Sequence, residues 1–313
     1  MDYLLITTAR NEEGRIEHTL ASMVAQTLPP LRWVIVDDGS TDRTAAIVEE
    51  YANRVSWIEL VRRPQRRHRT FAGKVHAFYA GLDRLEPIRT ELIGNLDADI
   101  SFAADHFEFL VARMKEDPGL GVVGTAYTQE GWDSTRDSFE GESSVHGACQ
   151  LFRYECFKDI GGYVPNAAGG IDWIAVTTAR MKGWTTRNCP ERRFHHHRTM
   201  GTAERSPLGA MFDYGAKDYF LGGSPLWELC RVAYRMTKAP RIAGGAALLC
   251  GYVWAAVRRV ERPVSPELMR FHRGEQRAKL KAIASSIVQR RPIDKFTLHP
   301  VRRGDARRSR ETA

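Results

Sequence analysis

Residues 32–42 read RWVIVDDGSTD. Trp33, Val34, Ile35 and Val36 make a short β-rich run, which stops at two carboxylates, Asp37 and Asp38, and a glycine. A helical pattern follows over Ala45–Tyr51, with Ser40, Thr41 or Asp42 able to cap its first turn. Two adjacent carboxylates are poor core residues, because buried charge without a partner is expensive. A capped strand-to-helix turn accounts for them. So does hydrogen bonding to a nucleotide base and ribose, where a carboxylate accepts from ring N–H and hydroxyl groups.

The same unit recurs on both sides of this stretch. Tyr3–Thr8 reads as a strand, followed by a helical pattern through Ile16, Leu20, Met23 and Val24. Val55–Leu60 is a third strand, Lys74–Leu82 a helix, Glu91–Leu96 a fourth strand and Gly121–Ala126 a fifth. This alternation predicts an α/β fold, a mostly parallel sheet flanked by helices. Ligands of such sheets bind at the carboxyl ends of the strands, where the polar clusters of this chain fall. From Gly161 the rhythm changes. Gly161-Gly162 and Gly169-Gly170 bracket a loop, Ile171–Lys182 reads as a helix, and a strand runs to about Cys189. Residues 207–285 look helical, with breaks at Gly222-Gly223, Pro240, Gly244-Gly245 and Pro263. The predicted division is an α/β domain over 1–205, a helical, basic extension over 206–290 and a basic tail over 291–313.

With 43% hydrophobic and 27% charged residues among 313, the chain can bury a sizeable core, which excludes wholesale disorder. Its charge is unevenly spread. Residues 1–230 carry 26 Lys and Arg against 32 Asp and Glu, whereas residues 231–313 carry 20 against 6, a net of +14. Such a tail suits an anionic surface, nucleic acid or lipid head groups. Five cysteines with no C-x-x-C pair fit a reducing compartment and argue against a disulfide scaffold. The first apolar run is short and strand-like, so no signal peptide is expected. No stretch reaches the ~18–20 apolar residues of a spanning helix. The expected location is the cytoplasm.

Three further clusters carry chemistry. Thr8-Ala9-Arg10-Asn11-Glu12 closes the first strand. Asp97 and Asp99 follow the fourth and lie two apart on an extended chain, so they share a face and can converge on one cation. Hard oxygen ligands of this kind suit Mg²⁺ or Mn²⁺. Asp172 opens a helix behind Gly169-Gly170. There it either complements the helix dipole or serves as a general base.

Together, TARNEE, VIVDDGSTD, FAGKVHAFYAG, NLDAD, GACQLFRYECFKDIGGY and GIDWIAVTTARMKGW, in that order over residues 1–200, resemble the family 2 glycosyltransferases with the GT-A (Rossmann-like) fold. The resemblance implies a metal-dependent, inverting hexosyltransferase that uses a nucleotide-sugar donor, UDP by default. It implies that Asp38 contacts the nucleobase, with Thr8, Arg10 and Glu12 beside the nucleoside. Gly73 and Lys74 correspond to the pair that opens the donor-side helix, Asp97 to the acid near ribose and metal, and Asp99 to the direct metal ligand. Asp172 corresponds to the catalytic base, although Ile171 stands where the family has Glu, and Thr8 where relatives often have proline. Within His195-His196-His197-Arg198, His195 and His197 share a face on an extended segment. His197 is the expected metal ligand, and Arg198 the group that holds the diphosphate.

The basic run Arg62–Arg69 reads as a solvated loop or as a phosphate-facing lid. The rival enzyme reading is a sugar-nucleotidyltransferase; the rival from another class is a nucleic-acid-binding protein driven by the basic tail. The acidic main domain and the absence of a binding motif speak against nucleic acid as a partner. Ile242–Val257 is an uncharged sixteen-residue stretch bracketed by Arg235, Lys238, Arg241 and by Arg258, Arg259, Arg262. It predicts either a core helix or a peripheral hold on the cytoplasmic face of the plasma membrane, where a lipid-linked or glycan acceptor would be met.

Overall fold

The computed structural model describes residues 1–65, 71–85, 88–137, 141–166, 169–198 and 206–291. The second half of the basic run, residues 66–69, and the tail from 292 lie outside the described residues. The chain forms two compact units, one over Met1–Arg198 and one within Thr199–Asp294.

In the first unit the elements are β1 (Tyr3–Ala9), α1 (Ile16–Val24), β2 (Arg32–Asp37), α2 (Thr44–Ala52), β3 (Ile58–Arg62), α3 (Phe71–Leu85), β4 (Leu92–Leu96), β5 (Ile100–Phe102) and α4 (His106–Glu116). They continue as β6 (Leu120–Gln129), β7 (Trp132–Asp133), α5 (Ser134–Asp137), β8 (Cys149–Arg153), α6 (Tyr154–Asp159), α7 (Ile171–Met181) and β9 (Thr185–His196). The apolar runs of β1 and β2 are buried on both faces. Leu4, Ile6, Val34 and Val36 meet Val75, Phe78 and Leu82 of α3 on one side, while Tyr3 stacks on Phe107 of α4 at 5.0 Å. Each such side chain taken from water contributes roughly 1.5–3 kcal/mol. Gly81 lets α3 lie close, since a Cβ there would come within 2.8 Å of the Ile6 side chain.

The strands form one sheet in the order β3-β2-β1-β4-β8-β6-β9-β5, with β7 paired to β6. The expected parallel pairing holds from β3 to β4. Beyond β4 the sheet is mixed: β8 runs antiparallel to both β4 and β6, β9 is parallel to β6, and β5 is antiparallel to β9. Among the described residues the chain passes from β6 to β8 through β7 and the one-turn α5, not through a full crossover helix such as α1, α2 and α3 supply between the first four strands, so the parallel rule does not extend to it. Two consequences matter for the site. Pairing of Leu96 with Cys149 sets Ala148 beside Asp97, whose N–H donates to the Ala148 carbonyl at 2.8 Å. Pairing of Ile100 with His196 sets the histidine run beside Asp99.

The second unit is helical: α8 (Pro207–Phe220), α9 (Pro225–Met236), α10 (Arg241–Val257) and α11 (Pro266–Val288). Pro207, Pro225 and Pro266 each open a helix, where a missing N–H costs no intrahelical bond. Among the described residues no helix is long and apolar enough to cross a membrane.

Candidate active site

The loops after β1 and β2 are knitted by backbone-to-side-chain hydrogen bonds. Asn11, at a positive φ of 54°, donates its N–H to Ser40 Oγ at 3.0 Å and accepts from Thr41 N–H at 2.8 Å. Glu12 N–H donates to Thr44 Oγ1 at 2.7 Å, and Glu13 N–H to Asp42 Oδ2 at 3.1 Å. Asp42 also accepts from Thr44 N–H at 3.0 Å, so of the three candidate caps it is the one that meets the start of α2. The adjacent carboxylates divide their work. Asp37 accepts from Ser40 N–H at 3.2 Å within the turn, and buried Asp38 pairs with Arg63 at 2.9 Å. Half-buried Thr8 and Arg10 lie at the end of β1 beside this pair of loops.

Gly73 and Lys74 lie in the first turn of α3, and Lys74 Nζ is 2.6 Å from Asp97 Oδ1. Burial works against both charges, but the pairing prevails. Asp97 lifts the Lys74 ammonium above its ordinary value with help from Asp172 and Asp99, and Lys74 holds the Asp97 carboxyl below its own. Asn95 Nδ2 donates to the Gly147 carbonyl at 2.7 Å, which ties the end of β4 to the loop before β8. Asp172, in the first turn of α7, lies against that loop: a Cβ on Gly147 would fall 2.7 Å from both its Cβ and its Oδ2. Ile171, where the family has an acid, is buried in the core.

Arg198 joins two loops. Its Nη2 reaches both oxygens of buried Glu12, and its Nε lies 3.2 Å from Asp99 Oδ2. Asp97, Asp99 and His196 each offer a ligand atom, all within 4.8 Å of one another. The sequence pointed to His197, but the structure brings His196 to the acidic pair, with its Nε2 3.7 Å from Asp99 Oδ1. Strand alternation is the reason. Phe194 and His196 point inward, whereas His195 and His197 share the other face and meet at 4.8 Å. His197 instead stacks on His18 at 4.2 Å and puts Nε2 2.9 Å from Ser101 Oγ. His196 Nδ1 is 2.8 Å from the Arg198 carbonyl and 3.3 Å from Arg198 N–H. The shorter contact calls for a proton on Nδ1, which leaves the Nε2 lone pair on the side of the acids.

Two carboxylates and one imidazole nitrogen, with a lysine and an arginine beside them, could hold a divalent cation and an anion together. Motif reading named no role for Arg63, Gly147 or His146, and within the histidine run it chose His197 over His196. Arg63 carried a signal, since it stands in the basic run directly after β3. His146, whose ring meets that of His196 edge-on at 6.4 Å and which helps hold Asp97 charged, gave none.

The model of Glycosyl transferase family 2 matches residues 4–161, half of the sequence. The chain belongs to this family. Membership favours the transferase reading over the nucleotidyltransferase one. A 4,4'-diaponeurosporenoate glycosyltransferase of Staphylococcus aureus (strain MRSA252) is 30% identical over 157 residues, which are 50% of this family 2 glycosyltransferase and 38% of the relative's own length. The fold is that of the GT-A enzymes. A mannosyltransferase from Pyrobaculum calidifontis, PcManGT in complex with GDP-Man and Mn²⁺, superposes with a TM-score of 0.54 at 19% identity, covering 92% of this chain and 80% of that one. Residues 1–349 of Staphylococcus aureus TarS in complex with UDP-GlcNAc give 0.50 at 16% identity, covering 91% and 81%.

Proposed function

We propose that this glycosyltransferase is an inverting, metal-dependent hexosyltransferase that moves a sugar from a nucleoside-diphosphate donor, UDP by default, to the hydroxyl of a lipid-linked or polysaccharide acceptor. The observation that carries the reading is the convergence of Asp97, Asp99 and His196 between Lys74 and Arg198, with Asp172 seated on Gly147. The nucleotide sugars and the Mn²⁺ named for the two solved structures support a donor and a cation of the same kinds here.

In this reading Asp38, held by Arg63, receives the nucleobase, with Thr8, Arg10 and Glu12 along the nucleoside. Gly73 lets the start of α3 approach the donor, and Lys74 and Asp97 lie beside its ribose and phosphates. Asp99 and His196 would hold the cation, with Asp97 completing the set. Bound there, Mg²⁺ or Mn²⁺ would supply positive charge for the departing diphosphate. Glu12 and Asp99 aim the Arg198 guanidinium, a planar fork suited to phosphate oxygens. Asp172 accepts the proton of the acceptor hydroxyl as that oxygen attacks the anomeric carbon opposite the leaving group. The bond to the nucleoside diphosphate breaks in the same step, so no separate nucleophile is required.

The test is Asp172→Asn, which keeps the shape and cannot take the proton. Transfer should fall roughly 10²–10⁴-fold, with donor affinity by calorimetry unchanged. Near-normal turnover would overturn the assignment.

A further inference from the structure

The helices of residues 206–291 bury Phe220, Leu221, Val232, Leu248, Tyr252 and Leu268, yet leave one apolar stripe exposed. α10 buries Gly244, Gly245, Leu248, Gly251, Tyr252 and Ala255. The opposite face carries Ile242 (72% exposed), Val253 (48%), Trp254 (47%) and Val257 (76%). Backbones meet where the glycines are. A Cβ on Gly251 would lie 1.9 Å from the Phe212 carbonyl oxygen of α8, and one on Gly215 the same distance from that of Leu248. α9 buries Glu228 and Val232 and leaves Leu226 and Leu229 exposed. Arg231, a third exposed, bridges Glu228 at 3.1 Å and Asp218 at 2.9 Å.

A bundle that packs in water gains by turning its large apolar side chains inward. Helices that pack in lipid gain nothing from that, so small residues line their contacts and apolar ones face out. These helices do the first with Phe220, Leu221, Val232, Leu248 and Leu268, and at the glycine-lined contact of α10 with α8 they turn an apolar stripe outward as the second would have it. The exposed face is also framed by charge. No acidic residue occurs between Glu228 and Glu261, and Lys238, Arg241, Arg258 and Arg259 stand exposed at the two ends of α10. An open apolar hollow of about 420 Å³ lies between, lined by Leu249, Cys250, Val253, Trp254, Val257 and Arg258.

We infer that this face seats on an anionic lipid bilayer, with α10 lying in the head-group plane. At 17 residues the helix is about 25 Å long, shorter than the ~30 Å hydrocarbon core, so it lies along the membrane and does not span it. Trp254 takes the interfacial level, and the flanking cations meet lipid phosphates. A second copy is a poor occupant, because pairing the stripe with itself sets like charges against each other at both ends. The inference rests on these helices alone and stands apart from the assignment of the transfer site.

Flotation of the full chain with phosphatidylcholine vesicles, with and without phosphatidylglycerol, tests it. Binding should need the anionic lipid and should weaken as salt rises. Ile242→Glu with Val257→Glu alters two exposed positions, so the fold should hold by circular dichroism while vesicle binding drops at least ~10-fold. Should that variant misfold, brominated acyl chains give a second reading. They should quench tryptophan emission of the parent, and the quenching should shrink in Trp254→Phe. The inference is overturned by a full chain that stays unbound to anionic vesicles at low salt, by quenching that Trp254→Phe leaves intact, or by a vesicle-indifferent dimer that the double variant dissociates. Nucleoside-diphosphate affinity in the double variant should match the parent's, which separates this result from any failure at the donor site.

Discussion

Arg198 touches two acids from distant parts of the chain, Glu12 after β1 and Asp99 after β4. Nη2 donates to Glu12, while Nε meets Asp99 as an ion pair, so one cation balances both acids. The pairing keeps buried carboxylates from facing one another uncompensated. Its neighbour His196 makes the residue-scale prediction. Asp99→Ala and His196→Ala should each weaken Mn²⁺-dependent binding of a nucleoside diphosphate at least ~10-fold. His197→Ala should leave that affinity within about 3-fold, because its Nε2 is engaged with Ser101. Calorimetry with UDP or GDP and titrated Mn²⁺ checks all three. A larger loss in His197→Ala than in His196→Ala would return the ligand role to His197.

At the scale of elements, the site depends on how the first turn of α7 lies against the loop that enters β8. Gly147 leaves room there for the Asp172 carboxylate, and Gly170, at a φ of 73°, turns the chain into the helix directly before it. Gly147→Ala should push Asp172 away from its place while the β4–β8 pairing stays intact. A displacement on the ångström scale costs on the order of 10²-fold in rate, so transfer should fall by about that much with donor affinity retained. Parallel kinetics and calorimetry decide it, and unchanged turnover would show that Asp172 has slack. The reading of elements from sequence was sound where apolar periodicity spoke, from Tyr3 to Leu96. It missed α4, α5 and α6 as well as β5, β7 and β8, and it ended β9 near Cys189 where the strand runs on to His196.

For the whole molecule, a buried carboxyl group among the helices ties stability to pH. Burial pushes the Glu228 carboxyl up to about 8, with Arg231 opposing and Asp218 adding to the rise, and Asp218 itself is raised by burial. Between the ordinary value of 4.5 and about 8 the folded chain therefore keeps a proton on Glu228 that the unfolded chain releases. Stability falls as pH climbs through that window. The loss should reach a few kcal/mol, read as a lower thermal midpoint at pH 8 than at pH 5. Glu228→Gln, which carries no titrating proton, should flatten most of that difference. An equal slope in the variant would place the titration elsewhere.

The sequence by itself determined the α/β order of the first two hundred residues, the acidic strand ends, the change of rhythm at Gly161 and the basic last quarter. Each of these is local: an apolar run, a charge at its end, a glycine pair or a count of cations, all set by neighbours within a few positions. Only the tertiary structure decided that β8 lies antiparallel between β4 and β6, that Arg63 holds Asp38, and that His196 faces Asp99. Those outcomes depend on register between strands far apart in the chain. A shift of one residue exchanges the two faces of a strand, and the pattern His195-His196-His197 is the same whichever face turns inward.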